Sequence, residues 1–283
     1  MEQPKLIFDI GMHKGEDLEF YLSEGAKIVS VDADPLLIEM AKRKFDKYIK
    51  SNQLILINKA LSDIDGQELT FNISNNSVWN SLNSGIAGRN DGSVMEIKVQ
   101  STTLTALMQV YGVPYYCKID IEGMDDVCLK SIKTSNVKPE FISVETECLP
   151  EKKQATEEDF LSTLYSLKSL GYSRFQLIDQ ATLQQLVLGK KFYTDNHKLF
   201  YYTNRILSKT GIKISPYVYK DKLSHQFNFN FPEGSSGPYG HHLEGKWSNF
   251  EEAKKLLIQH RTDYFKLSNA FSFGFWCDWH ATI

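Results

Sequence analysis

A chain of 283 residues, 42% hydrophobic and 24% charged, can bury one large core or a core with a smaller unit appended. Its net charge of -3, with no run of Lys and Arg, excludes the basic footprint of a nucleic-acid binder. Four widely spaced cysteines form neither a zinc knuckle nor a disulfide framework. No basic segment with an apolar follow-on opens the chain and no apolar run approaches the ~20 residues of a membrane span, so a cytoplasmic, enzyme-like chain is expected.

The chain opens on Ile7-Phe8-Asp9-Ile10-Gly11-Met12-His13-Lys14-Gly15-Glu16-Asp17, an apolar strand that runs into a glycine-spaced turn and a helix. The helix continues through Leu18, Tyr21 and Leu22 and stops at Gly25. Gly11 allows a tight bend, and Gly15 allows close approach to the first helical turn. Such a unit makes a nucleotide pocket in many folds. Asp9 narrows the choice, because a carboxylate at the strand's end repels a pyrophosphate, and the Gly-x-Gly-x-x-Gly spacing of dinucleotide sites is absent. A cofactor with a cationic end would instead be held by charge-assisted hydrogen bonds.

Residues 27–32 read as a second strand ending in Asp32, about 20 residues beyond Gly11, the separation at which a carboxylate meets ribose hydroxyls. Asp34 then caps a helix with Pro35 at its first position and Leu37, Ala41, Phe45 and Tyr48 along one face. A third strand spans 54–57, and the loop at Ala60 falls where such a chain passes an adenine. Alternating runs at 69–73 and 94–99 flank an Asn-, Ser- and Gly-rich tip carrying Trp79, the pattern of an inserted β-hairpin. A short helix over 102–110 follows.

Pro114 introduces Tyr115-Tyr116-Cys117-Lys118-Ile119-Asp120-Ile121-Glu122-Gly123, a strand that ends in two carboxylates. Ligands of open parallel sheets bind outside the carboxyl ends of the strands, so Asp9, Asp32, Asp120 and Glu122 converge by topology. A fifth strand spans 140–145. Thr156 and Asp159 form a capping box for a helix through Phe160, Leu161, Leu164 and Leu167 that Gly171 stops. Residues 175–178 and 198–202 read as the last two strands, and strands alternating with helices imply a doubly wound sheet. Beyond about residue 204 the pattern breaks. Residues 216–250 are loop-rich, Ser248 with Glu251 caps one more helix, and the aromatic closing run 271–280 is expected to pack on the sheet as a cap. The expected division is therefore 1–204 for the sheet-bearing unit and 205–283 for a C-terminal extension facing the substrate.

Three stretches in this order, Phe8-Asp9-Ile10-Gly11-Met12-His13-Lys14-Gly15-Glu16-Asp17, Val31-Asp32-Ala33-Asp34-Pro35 and Lys118-Ile119-Asp120-Ile121-Glu122-Gly123, resemble the FkbM family of S-adenosylmethionine-dependent methyltransferases. They look like its cofactor loop, its ribose-binding turn and its most characteristic signature. Many members carry Glu at the place of Asp32 and Pro at the place of Ala33. The run 231–239 and residues 276–280 are similar to the tail of some members. The resemblance implies an α/β, Rossmann-like, doubly wound, mostly parallel sheet of the class I methyltransferases, with the hairpin inserted and the C-terminal cap appended. It implies S-adenosylmethionine as cofactor, held by Asp9, Gly11, His13, Gly15, Asp17, Asp32, Ala33, Ala60 and Asp120. It also implies methylation of a hydroxyl on a small-molecule or saccharide acceptor, with Asp120, Glu122 and His13 as catalytic residues.

A carboxylate of ordinary pKa is a weak base for an alkyl hydroxyl, so histidine is the better match; His13, His241, His242 and His280 are the candidates. Asp278 and His280 with the Asp120/Glu122 pair could chelate a divalent metal, but the spacing favours no metal site. A nicotinamide-dependent oxidoreductase and a non-catalytic nucleotide-binding module on the same fold remain as alternatives. Oligomeric state is not legible.

Overall fold

In the computed structural model the described residues are 3–74, 77, 80–88, 94–121, 123–132, 137–148, 155–192, 218–266 and 275–283. The apolar runs of the first half become strands β1 (Leu6–Ile10), β2 (Lys27–Asp32), β3 (Leu54–Asn58), β4 (Ala60–Leu61), β5 (Glu68–Ser74), β6 (Val94–Thr102) and β7 (Tyr116–Ile119). Then follow β8 (Phe141–Cys148), β9 (Arg174–Asp179), β10 (Gln184–Gln185) and β11 (Phe275–Thr282). Among the described residues, eight of them form one sheet in the order β10-β9-β11-β8-β7-β1-β2-β3, and β4, β6 and β5 form a second, smaller sheet. From β3 to β8 neighbouring strands are parallel. The fold is thus the expected Rossmann-like α/β sheet, mostly parallel and buried on both faces.

The closing run corrects one expectation. It does not cap the sheet: β11 lies inside it, antiparallel to β8 over Phe275–Thr282 and to β9 over Cys277–Thr282. Its residues alternate: Cys277, Trp279 and Ala281 enter one core, while Asp278 and His280 point to the opposite face. The expected strand at 198–202, the boundary near 204 and Trp79 lie outside the described residues.

Local signals place the helices. The Asp34 carboxylate accepts from Leu36 N–H at 2.8 Å ahead of helix Pro35–Lys44, and Thr156 and Asp159 form the reciprocal capping box. The cap of helix Phe250–Lys266 sits one residue later than expected, on Asn249 and Glu252. Ser248 is taken by a two-hydrogen-bond bridge to Phe175 instead. No helix among the described residues is long and apolar enough to cross a membrane.

The register aligns a row of buried polar residues straight across the sheet. Ser30 pairs with Asp9, Asp9 with Lys118, Lys118 with Ser143, Ser143 with His280, and His280 with Gln176. All six face away from the core that holds Phe8, Ile119, Val144 and Trp279. Buried polar atoms at such depth need partners, so this row and the loop over it decide the character of the site.

Candidate active site

The turn after β1 is stitched to β2 by its own amides. Gly11 N–H and Met12 N–H donate to Val31 C=O at 2.9 and 3.3 Å. Asp32 accepts from His13 N–H and from Asp34 N–H, each at 2.9 Å, one on each carboxylate oxygen. Burial pushes Asp32 up to about 6, against the pull of those two amides. Gly11 has φ 84°, and a Cβ there would lie 1.8 Å from the Asp120 carbonyl oxygen. Only glycine lets the ends of β1 and β7 meet this closely, which brings Asp9 and Asp120 to one edge. His13, at φ 52°, places Nδ1 2.8 Å from Glu16 Oε1 and Nε2 2.8 Å from Ser77 Oγ. Asn80 Nδ2 donates to Asp34 Oδ2 at 2.9 Å, so the hairpin between β5 and β6 reaches back to both loops.

Behind the turn lies a cluster of carboxylates around one ammonium. Asp9 is 1% exposed; its Oδ2 accepts from Ser30 Oγ at 3.2 Å, and its buried Oδ1 has no hydrogen-bond partner among the described residues. Burial raises its pKa to about 7, although the Lys118 charge opposes the rise. Lys118 Nζ lies 3.0 Å from Asp17 Oδ2 and 3.4 Å from Asp120 Oδ2. Burial disfavours its charge, yet Asp17, Asp120 and Asp9 together hold it well above the usual lysine range. Asp278 accepts from Gln180 Nε2 at 2.6 Å and is pushed by burial to about 7. Asp125 accepts from Ile121 N–H at 3.2 Å; burial, with the nearby Asp120 charge adding, pushes it to about 7.

Comparison with known proteins identifies the family at this point. Residues 9–174 match the family model described as the methyltransferase FkbM domain. The chain belongs to the FkbM methyltransferase family. Its cofactor is S-adenosylmethionine, and the nicotinamide-dependent alternative falls away. No curated protein matches the chain significantly. Solved structures that resemble it include an S-adenosylmethionine-dependent methyltransferase from Thiobacillus denitrificans in complex with S-adenosyl-L-homocysteine. That match has 13% identity, covers 100% of this chain and 86% of that one, and has a TM-score of 0.40. The precorrin-6y C5,15-methyltransferase from Geobacter metallireducens is 9% identical, with coverage of 63% and 69% and a TM-score of 0.34. Phosphoethanolamine N-methyltransferase 2 from Haemonchus contortus, in complex with S-adenosyl-L-methionine, is 11% identical, with coverage of 100% and 49% and a TM-score of 0.40.

The residues of this FkbM methyltransferase fit a cationic cofactor on a point of structure: the orphaned Oδ1 of Asp9 is a buried acceptor that an ammonium would satisfy. Ala33 and Ala60 join Phe71 and Val99 in a small apolar cluster beneath the hairpin, a surface suited to a flat ring. Asp17 departs from expectation. Its carboxylate accepts from Ser235 Oγ at 2.6 Å and from Ser236 N–H at 3.0 and 3.2 Å, besides pairing with Lys118. It is 2% exposed and engaged within the protein, so it locks the C-terminal loop rather than facing a ligand. Gly15, likewise, is approached by the Phe45 and Leu18 side chains.

The histidine candidates separate clearly. His241, within 2.8 Å of Lys5 Nζ and 2.6 Å of Tyr115 OH, and His242, 3.4 Å from Glu24, sit where β1, β7 and β2 begin, at the edge opposite the site. His280 is 1% exposed in the middle of the sheet, and burial pushes it down to about 3. Of the four, only His13 stands at the turn. Glu122 lies outside the described residues. No cluster of described His, Cys, Asp or Glu residues has the geometry to hold a metal ion.

Sequence reasoning passed over Lys118 and Asp125, and weighed Asp278 only as a metal ligand. The signal for Lys118 was a lysine in the interior of an apolar strand, which folds inward only when paired. Beside Asp125 opens a cavity of ≈ 200 Å³ lined by Asp125, Glu145, Thr146, Phe160, Ser162 and Thr163 among others.

Proposed function

We propose that this FkbM methyltransferase methylates a hydroxyl group of a sugar or a secondary metabolite, with the cavity beside Asp125 as the acceptor site. The observation that carries the reading is the company of that cavity: carboxylates and hydroxyls that accept and donate hydrogen bonds to a polyol, with the Phe160 ring as an apolar wall. S-adenosylmethionine supplies a methyl group already activated on a sulfonium. The chain therefore has to position the acceptor and dispose of its proton, and positioning alone is worth up to ~7–11 kcal/mol. In this reading Asp9 and the turn from Gly11 to Gly15 hold the amino-acid end, Asp32 the ribose, and the Ala33–Ala60 patch the adenine. Asp120, at the edge between Asp9 and the cavity, faces the reacting end, and His13 orders the turn through Glu16 and Ser77.

Burial answers the objection that a carboxylate is too weak a base. Asp125 at about 7 is matched to accept the hydroxyl proton near neutrality in concert with transfer. The test is S-adenosylhomocysteine release from a panel of neutral sugars, polyols, phenols, amines and carboxylates. Turnover with hydroxyl acceptors, reduced about 100-fold or more in Asp125→Asn, is expected. Turnover confined to amines would contradict the reading, and turnover with none would favour the non-catalytic module.

A further inference from the structure

β7 carries one cation into the interior of the sheet. Lys118 is 5% exposed and stands in the polar row between Asp9 and Ser143. A lysine at such depth is stable only when paired and hydrogen-bonded. One carboxylate would suffice for that, yet Lys118 holds two that belong to different parts of the molecule. Asp17, 3.0 Å away, precedes helix Leu18–Ser23 and is itself clasped by Ser235 and Ser236 of the C-terminal loop. Asp120, 3.4 Å away, follows β7, and its side chain is 20% exposed at the site edge. The other charged or titratable groups that feel Lys118 are Asp9 on β1, Asp278 on β11, Glu16 in the turn and Tyr116 on its own strand.

We infer that Lys118 is a positioning residue for methyl transfer. Its ammonium, anchored by Asp17, holds the Asp120 carboxylate aimed at the site edge, and makes that carboxylate answerable to the Ser235–Ser236 loop closed over Asp17. The inference rests on the reading of Asp120 as a site residue that contacts the cofactor. It gives the C-terminal loop a function beyond covering the sheet: the loop fixes Asp17, Asp17 fixes Lys118, and Lys118 fixes Asp120. Without Lys118, Asp120 faces Asp9, Asp125 and Asp278 with no counter-charge. Without the Asp17 charge, Lys118 loses the anchor that fixes its position.

The test is calorimetric titration of the full chain with S-adenosylmethionine at constant pH. Lys118→Met is expected to weaken binding by about tenfold, and Asp17→Asn, which keeps an acceptor for Ser235 and Ser236, to weaken it by a smaller factor. Lys118→Arg, which keeps the charge and the reach to both carboxylates, restores most of the affinity. Because both links act through Asp120, each variant weakens binding clearly less in an Asp120→Asn background. Should Lys118→Met fail to fold, Asp17→Asn and Lys118→Arg carry the test. A purely structural lysine would give losses that add fully to that of Asp120→Asn, and this result would overturn the inference. Wild-type affinity in both Lys118→Met and Asp17→Asn would overturn it as well. Wild-type affinity in Asp120→Asn would remove Asp120 from the site and the inference with it. A weakened Asp120→Asn to which the other losses add fully overturns the inference alone.

Discussion

Asp9 and Gly11 set the site at the scale of single residues, and each acts through what surrounds it. The Asp9 carboxylate faces Ser30 on one side and keeps its other oxygen buried and unpaired, a costly arrangement of about 1–3 kcal/mol that a cationic ligand relieves. Gly11 acts by absence: the 1.8 Å separation between a Cβ there and the Asp120 carbonyl oxygen is far inside van der Waals contact. Gly11→Ala is therefore expected to force the ends of β1 and β7 apart. It should cost more than about 2 kcal/mol in denaturant unfolding and lower the affinity for S-adenosylmethionine. A variant with native stability and native affinity would show that this close approach is dispensable.

β11 dominates at the scale of elements. It buries Trp279 completely between β8 and β9, and antiparallel pairing on both sides makes it the seam on which those two strands depend. Trp279→Ala is expected to destabilise the chain by about 3–5 kcal/mol, measured by urea unfolding, because no neighbouring side chain of a sheet interior can collapse into so large a void. A loss below about 1 kcal/mol would mean the strand is peripheral. Legibility follows the same division between local and distant pairing. The opening strand, turn and helix, the Asp34 and Thr156 caps and the hairpin of β5 and β6 were readable because their partners are close in sequence. β11 was not. Its pairing with β8 and β9 is written nowhere in its own residues, and its alternation of Cys277, Trp279 and Ala281 with Asp278 and His280 passed for an aromatic tail. The same holds in the site. Asp9, Asp32 and Asp120 could be placed at one edge from strand ends alone, whereas the engagement of Asp17 by Ser235 and Ser236 depends on a contact across almost the whole chain.

At the scale of the whole molecule, both faces of the sheet pack against apolar cores, and one of them also carries a row of buried polar and charged residues. Asp9, Asp17, Asp120, Asp125 and Asp278 gather near the carboxyl ends of the parallel strands, and among the described residues Lys118 is the one ammonium in their midst. Burial therefore raises Asp9, Asp125 and Asp278 toward neutrality, and among the described residues the site is short of positive charge. S-adenosylmethionine brings an ammonium and a sulfonium. The sign of the linkage follows. A carboxyl raised to about 7 holds its proton below that pH, and a cation that pairs with the carboxylate must first displace it, so affinity falls as the pH drops through 7.

Titration calorimetry of the wild-type chain with S-adenosylmethionine at about pH 6 and about pH 8, in buffers of different ionisation enthalpy, tests this account most directly. The account predicts saturable binding that tightens by about tenfold toward the higher pH, with proton release at the lower one. Affinity that is the same at both values, with heats independent of the buffer, would contradict it.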